Sequence, residues 1–373
     1  MKKRILIPYA TYGNGHKAIA QYIKIYFEET GNYECETIDL ITYSMPIIGN
    51  LSRKTSNFIM TKVPSLWTLI YFTFDNKISA YISGKFTLKV FDNKNLRRKI
   101  SDFDPDITIA THFFGNELIS YYNKKELTQS KLVTVVTDYK SHEFWTNSQK
   151  NIDAIIVSSF EERINLLKKG FKNRQIHTTG IPIMPEECKL DKTKLYKKFK
   201  LNKDKKTVLF FVGGGNGALL NLIYFKEMLK NNYDCNIIFI AGKNKKAYSK
   251  AEEYVKRYNN KNTKIYGFVT NVNEFYSVSD FVVTKPGGAQ VTECLYFEKP
   301  MLLIKSNGGQ EIENRRYLCK SGFAFDAKTP MSFNKRFKEM LENETLLNKM
   351  KNKISKIDQS KSMEKLYKIV EKL

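Results

Sequence analysis

The sequence has no long hydrophobic run. No stretch of its 373 residues approaches the ~18–20 apolar residues that a membrane span needs, so no spanning helix is expected. Lys2, Lys3 and Arg4 resemble the basic start of a signal peptide, but the apolar run behind them is only Ile5 to Ile7 before Pro8. That is shorter than the ~7–15 residues of a leader core, so no secretory leader is expected either. Paired cysteine spacing is also missing. The five cysteines, at 35, 188, 235, 294 and 319, form no disulfide framework and read as buried thiols of a reducing compartment. Cytoplasmic location is the expectation, with a membrane surface still allowed. There is no internal repeat, no low-complexity tract and no nucleic-acid motif. Acidic residues are scarce, 38 against 62 Lys and Arg, which leaves a formal charge of +24. Nucleic acid, an anionic membrane or a phosphorylated substrate would each suit that charge. A composition rich in Lys and Asn accounts for part of it without any partner.

What is present is a globular chain of alternating elements. Forty-two per cent hydrophobic and 27% charged residues suffice for a core and a solvated surface. The length exceeds one ordinary core, so two domains are expected. Short apolar runs at 5–10, 35–40, 107–112, 132–138 and 154–159 read as strands of one sheet. Runs at 208–214, 236–242, 264–268, 281–287 and 300–305 read as strands of a second. Between them lie helical patterns, such as Ile19, Tyr22, Ile23 and Tyr26 on one face. Continuous apolar strands separated by helices imply α/β architecture with parallel sheets covered on both sides. The chain turns polar and lysine-rich from 186 to 206, which is read as the linker. The expected domains are 1–185 and 186–373, with the charged, helical tail returning its last helix to the first domain.

Both sheets open with a strand running into a glycine loop and a helix. The first loop is Gly13-Asn14-Gly15-His16 and the second Gly213-Gly214-Gly215-Asn216-Gly217. Such a loop lets backbone approach a ligand, and the helix N-terminus favours anions. Each loop alone is a weak signal, because glycines also make plain tight turns. The first loop also fits a dinucleotide fingerprint with Asp39 on the ribose, a reading that leaves the second loop idle. His16 stands where a helix starts, which disfavours imidazolium and leaves a neutral base plausible beside a structural role. Asp138 ends a strand, followed by His142 and Trp145; a capped turn over a buried tryptophan is the plainer reading. Thr284-Lys285-Pro286-Gly287-Gly288 follows another strand, and Glu293 lies in the helix behind it. Those glycines can approach a diphosphate, Lys285 adds positive charge, and Glu293 can accept from a ribose diol. Gln310, Glu311 and Asn314 are candidates to bind sugar hydroxyls. Asp104-Pro105-Asp106 looks like a metal-binding Asp-x-Asp, but it precedes a strand and reads as a turn.

The ordered series resembles the diacylglycerol glucosyltransferases and monogalactosyldiacylglycerol synthases, MurG-like glycosyltransferases. The matching pieces are Tyr12-Gly13-Asn14-Gly15-His16, Thr137-Asp138 with His142 and Trp145, and Gly180-Ile181-Pro182-Ile183. In the second half they are Gly242-Lys243-Asn244, Gly267-Phe268-Val269, Thr284 to Gly288 with Glu293, and Gly309-Gln310-Glu311 with Asn314. The resemblance implies a GT-B fold, two Rossmann-like doubly wound domains facing a central cleft, with acceptor on the first and UDP-sugar on the second. It implies that the Phe268-Val269 backbone meets uracil and Glu293 the ribose. Gly213, Gly214, Gly215, Lys243, Lys285, Gly287 and Gly288 would serve the rest of the nucleotide, and Gln310, Glu311 and Asn314 the hexose. His16, Asp138 and His142 would be catalytic, with Gly13, Asn14, Gly15 and Trp145 in the acceptor loop. Transfer would invert the anomeric centre and require no cofactor or metal. One departure concerns the sugar loop: relatives usually carry proline before Gly-Gln-Glu, where this chain has Gly308.

A lipid acceptor has to be met at a membrane. Residues 50–100 carry ten Lys or Arg against two Asp, a net of +8, interleaved with Phe58, Trp67, Tyr71, Phe72, Phe74, Tyr81, Phe86 and Phe91. Basic residues attract anionic lipid and aromatics seat at the interface. A core helix pair with a basic face is the alternative. The reading is therefore a peripheral enzyme moving glucose or galactose from a UDP-sugar to a diacylglycerol-type lipid, without nucleic acid. A GT-B-fold UDP-sugar epimerase and a non-catalytic nucleotide-sugar or membrane-binding protein are the alternatives.

Overall fold

Apolar residues in consecutive positions build the strands. Ile5, Leu6 and Ile7 are all inaccessible, as are Val208, Leu209 and Phe210. That is the signature of parallel strands covered on both faces. The computed structural model describes residues 2–11, 15–44, 63–186, 190–213, 217–305 and 308–373. These residues form two units, one of Met1–Pro185, Gly308–Gln310 and Asp358–Leu373, the other of Glu186–Asn307 and Glu311–Ile357.

The first unit begins β1 (Lys3–Tyr9), α1 (Gly15–Glu29), β2 (Tyr33–Asp39) and α2 (Leu40–Ser44). Three helices follow, α3 (Pro64–Thr73), α4 (Lys77–Phe91) and α5 (Lys94–Phe103). Then come β3 (Ile107–Ala110), α6 (Phe113–Lys124), β4 (Lys131–Val135), β5 (Ala154–Val157), α7 (Phe160–Lys168) and β6 (Ile176–Thr178). The sheet order is β2-β1-β3-β4-β5-β6, with every pair parallel. The C-terminal helix, Ser362–Glu371, completes this unit. Its Tyr367 ring lies 5.2 Å from Phe27 and 5.8 Å from Tyr33, and Gln359 Nε2 donates to the Ile181 carbonyl at 2.7 Å.

The second unit holds α8 (Lys192–Phe199), β7 (Thr207–Phe211), α9 (Gly217–Lys230), β8 (Asn236–Ile240), α10 (Lys245–Arg257) and β9 (Thr263–Tyr266). It continues with α11 (Val272–Val278), β10 (Phe281–Thr284), α12 (Gly288–Tyr296), β11 (Met301–Leu303), α13 (Gln310–Ser321) and β12 (Ala324–Asp326). Helices α14 (Pro330–Glu342) and α15 (Glu344–Ile354) close it. Its sheet order is β12-β11-β10-β7-β8-β9, again all parallel. Phe210, Phe225 and Phe239 interlock in its core, and Phe333 and Phe337 of α14 cover the same side.

Two sequence expectations need correction. The stretch 186–206 is not all linker. Asp191 caps α8 by accepting from Thr193 N at 2.9 Å, and Leu195 and Phe199 are buried, with Phe199 stacked 4.7 Å from Phe275. Apolar residues every four positions outweigh the lysines between them. The apolar runs also miss β6 and β12. Each is three residues long and lies at a sheet edge, where one side needs little apolar cover.

Candidate active site

In a doubly wound sheet, ligands bind beyond the strand carboxyl ends where strand order reverses. In the first unit this point lies between β1 and β3. His16, the second residue of α1, comes from the β1 side, and Thr111 follows β3. His16 Nδ1 lies 2.7 Å from the Thr111 carbonyl oxygen and 3.0 Å from Thr137 Oγ1. A carbonyl only accepts, so Nδ1 carries the proton and Nε2 the lone pair. Burial pushes the imidazole below histidine's ordinary value, while Asp138 and the Thr111 carbonyl pull the other way. His112, its ring 4.8 Å from that of His16, is held far below that value by burial and then by His16 itself. The pair therefore stays neutral near pH 7.

The structure gives other first-unit candidates different work. His142 Nε2 donates to the Tyr71 carbonyl at 2.9 Å, and Nδ1 lies 3.7 Å from Asp75 and 3.3 Å from the Phe144 amide. It fastens a short 3-10 turn to α3, with both ring nitrogens engaged within the protein. Trp145 is 5% exposed within the first core, beside Phe113 and His112. Asp39, the ribose candidate of a dinucleotide reading, accepts from Thr11 at 2.5 Å, Thr42 at 2.8 Å and the Ile41 amide. Asp104 and Asp106 engage Arg4 at the opposite end of the sheet, as a turn. Gly15 opens α1, whereas Gly13 and Asn14 lie outside the described residues.

In the second unit the order reverses between β7 and β10. Gly213 follows β7 at φ +85°, and a Cβ there would come within 3.2 Å of the Lys285 stem, so glycine is required twice over. Gly214 and Gly215 lie outside the described residues. Lys285 pairs with Glu311 at the start of α13. Gly287 precedes α12 as its cap and Gly288 opens it, so backbone amides of that helix end gather beside the Lys285–Glu311 pair. Glu293 projects from α12 and accepts from Tyr276 Oη and Gln290 Nε2, each at 3.3 Å. The Phe268 ring is 63% exposed past β9, with Lys243 Nζ 4.7 Å above it and Val269 beside it. Gln310 opens α13. Asn314 is fully buried and donates to the Pro286 carbonyl at 3.1 Å, so it shapes the Lys285–Gly288 turn and is too deep for a sugar. Gly308 and Gly309 adopt φ +88° and +57°, which a proline at 308 cannot match.

Tyr276, Gln290, Thr111 and His112 escaped sequence reasoning. Thr111 contributes a carbonyl, which leaves no side-chain signature. His112 did end an expected strand, and a second histidine at a strand's carboxyl end was a usable signal.

The basic, aromatic segment divides in two. On α4 the inward positions are small, Ala80, Gly84 and Thr87, before Phe91. A Cβ on Gly84 would sit 2.9 Å from Glu117 and Asn147, so α4 packs closely on α6. The large side chains face out: Ile78, Tyr81, Ile82 and Phe86 are 60–74% exposed, with Lys85 over the Tyr81 ring. Helix α5 differs. Leu96 and Ile100 are buried, and Arg97 is paired with Asp92 at 2.5 Å. Phe91 is core, and Phe58 lies outside the described residues.

Two doubly wound units, each with its polar residues gathered at the strand carboxyl edge, make a GT-B architecture. The family comparisons agree. Residues 16–183 match the monogalactosyldiacylglycerol (MGDG) synthase family, and residues 192–357 match glycosyl transferases group 1. The first half of the chain thus resembles the MGDG synthases and the second the group 1 glycosyl transferases. It is 29% identical to a processive diacylglycerol beta-glucosyltransferase of Bacillus licheniformis over 97% of this chain and 93% of that one. The fold is that of MurG from Acinetobacter baumannii, TM-score 0.65 at 14% identity, covering the whole of both chains. UDP-GlcNAc 2-epimerase of Neisseria meningitidis, bound to UDP-GlcNAc, shares it at TM-score 0.57 and 12% identity, covering 98% of this chain and 100% of that one. Fold alone therefore does not separate transfer from epimerisation. Among the described residues no cluster of His, Cys, Asp or Glu could hold a metal, and no helix is long and apolar enough to cross a membrane.

Proposed function

We propose that this enzyme moves a hexose, glucose or galactose, from a UDP-sugar to diacylglycerol or a glycosyl-diacylglycerol, inverting the anomeric carbon. The observation that carries the chemistry is the hydrogen bond from His16 Nδ1 to a main-chain carbonyl, which keeps Nε2 as a neutral base. Nε2 takes the proton of the acceptor hydroxyl as its oxygen attacks the anomeric carbon and the bond to UDP breaks. Asp138 offsets the imidazolium that forms, since its charge already favours that state. On the donor side, Glu293 receives the ribose hydroxyls and the Phe268-Val269 backbone the uracil. The helix end at Gly287 and Gly288 meets the diphosphate. Lys285 has three N–H donors, so its pairing with Glu311 leaves capacity for a phosphate oxygen. Charge on the departing UDP is met by these fixed dipoles, with no metal in the scheme. Gln310 and Glu311 hold the hexose.

The lipid acceptor rests on the diacylglycerol glucosyltransferases to which the whole chain is similar. The outward face of α4 supplies the contact with an anionic bilayer, at the cytoplasmic side of the membrane, as a peripheral protein. The test is to incubate the protein with a panel of UDP-hexoses and diacylglycerol vesicles and analyse products by mass spectrometry. Hexosyl-diacylglycerol supports the reading. Isomerised UDP-sugar with unmodified lipid would replace it with an epimerase.

A further inference from the structure

A buried phenol needs a hydrogen-bond partner, and the partner it selects carries information. Tyr276 on α11 is fully buried, its ring stacked 4.5 Å from Phe297 and tilted against Phe211 at 5.7 Å. Its hydroxyl lies 3.3 Å from Glu293 Oε2 and 2.5 Å from Gln290 Nε2. Gln290 Nε2 also lies 3.3 Å from the same carboxylate oxygen. The amide nitrogen has two N–H groups, one for the phenol and one for the carboxylate, and the phenol donates to Oε2, with Cys294 Sγ a longer contact at 3.9 Å. Burial, then Cys294, then Glu293 keep that phenol protonated at any working pH. Gln290 and Glu293 share one face of α12, a turn apart, while Tyr276 reaches them from another helix.

A half-buried glutamate left to rotate loses conformational freedom when it grips a ligand, and that loss weakens binding. Two donors on one oxygen remove the loss beforehand by fixing the plane of the carboxylate. We propose that Tyr276 and Gln290 are positioning residues that hold Glu293 Oε2 and thereby set how strictly the donor site recognises the ribose hydroxyls of a uridine nucleotide. This rests on the reading of Glu293 as the ribose residue. A merely structural tyrosine would affect melting and leave ribose recognition alone.

The test compares UDP with 2′-deoxy-UDP by titration calorimetry on the full chain, for wild type, Glu293→Ala, Tyr276→Phe and Gln290→Met. Wild type should prefer UDP and Glu293→Ala should lose the preference. Tyr276→Phe keeps the buried ring, and Gln290→Met keeps the side-chain length at a half-buried site. Each should weaken UDP by about tenfold, the scale of one hydrogen bond to a charged group, and leave 2′-deoxy-UDP almost unchanged. In steady state KM for the UDP-sugar should rise with kcat little altered. Should the phenylalanine variant fail to fold, Gln290→Met decides alone. If the folded variants keep the wild-type preference while Glu293→Ala loses it, the positioning role is wrong and the ribose assignment stands. If Glu293→Ala keeps the preference, the ribose assignment falls and the positioning role falls with it.

Discussion

A histidine acts as a base only while it is neutral, and here burial keeps it so. His16→Ala should lower kcat by about 100-fold or more while UDP affinity, measured by calorimetry, stays near wild type. Because burial depresses the His16 value, the acid limb of the kcat/KM profile should fall below 6.5, histidine's ordinary value. A limb above 6.5, or an alanine variant with wild-type turnover, would assign the base elsewhere. Glu117 is the opposite case. Burial between α4 and α6 raises it from 4.5 to about 7, against hydrogen bonds from Ser148 and Asn147. The folded state then binds more protons than the unfolded chain between those values, so this residue's contribution to stability declines as pH rises through that window. Glu117→Gln should stabilise the protein at pH 8, by at most about 3 kcal/mol, with the gain gone by pH 4. Chemical denaturation at the two pH values checks this. At the residue scale, the positions of His16 and Glu293 at the carboxyl ends of their sheets were legible, because side-chain chemistry at a strand or helix end leaves a mark in sequence. His142, Trp145 and Asn314 also have packing or turn-fastening partners that the sequence did not show, because the same polar or aromatic types tie turns together.

Among the elements, α4 carries the membrane question. Its inner face is small so that it can pack tightly, which turns Ile78, Tyr81, Ile82 and Phe86 outward with Lys85 and Lys89. Replacing Ile78, Ile82 and Phe86 by serine, or Lys85 and Lys89 by glutamate, should release the protein from anionic vesicles in flotation assays. Raised salt should act on the lysine contribution, since surface charges are screened within ~8–10 Å. Reversing Arg98 on α5 should matter less, because α5 turns its apolar side into the core. Unimpaired flotation of both α4 variants would remove this face from the membrane account. The sequence showed basic and aromatic residues together but not which of them face out. Direction depends on Gly84 and Ala80 accepting a neighbour helix, a tertiary fact. In the same way most strands were legible as apolar runs, while β6 and β12 were not, because each has only three residues and polar ones among them.

Across the whole molecule, two sheets of six parallel strands repeat one logic: a first strand, a glycine loop, a helix, and the candidate site residues where strand order reverses. That repetition was readable, because both loops and the alternation around them stand in the sequence. The return of the last helix to the first unit was expected from the sequence, but not the side chains that hold it there. Residues 358–373 join the first unit through Tyr367 and Gln359, whose partners lie more than 170 positions away. The central claim is inverting transfer of a hexose to lipid. The most direct measurement is the anomeric configuration, by NMR, of the glycolipid made from a UDP-α-hexose and diacylglycerol vesicles. The account predicts a β-linked hexosyl-diacylglycerol, formed about 100-fold more slowly, or slower still, with His16→Ala. An α-linked product, or a hexose that never reaches the lipid, would contradict it.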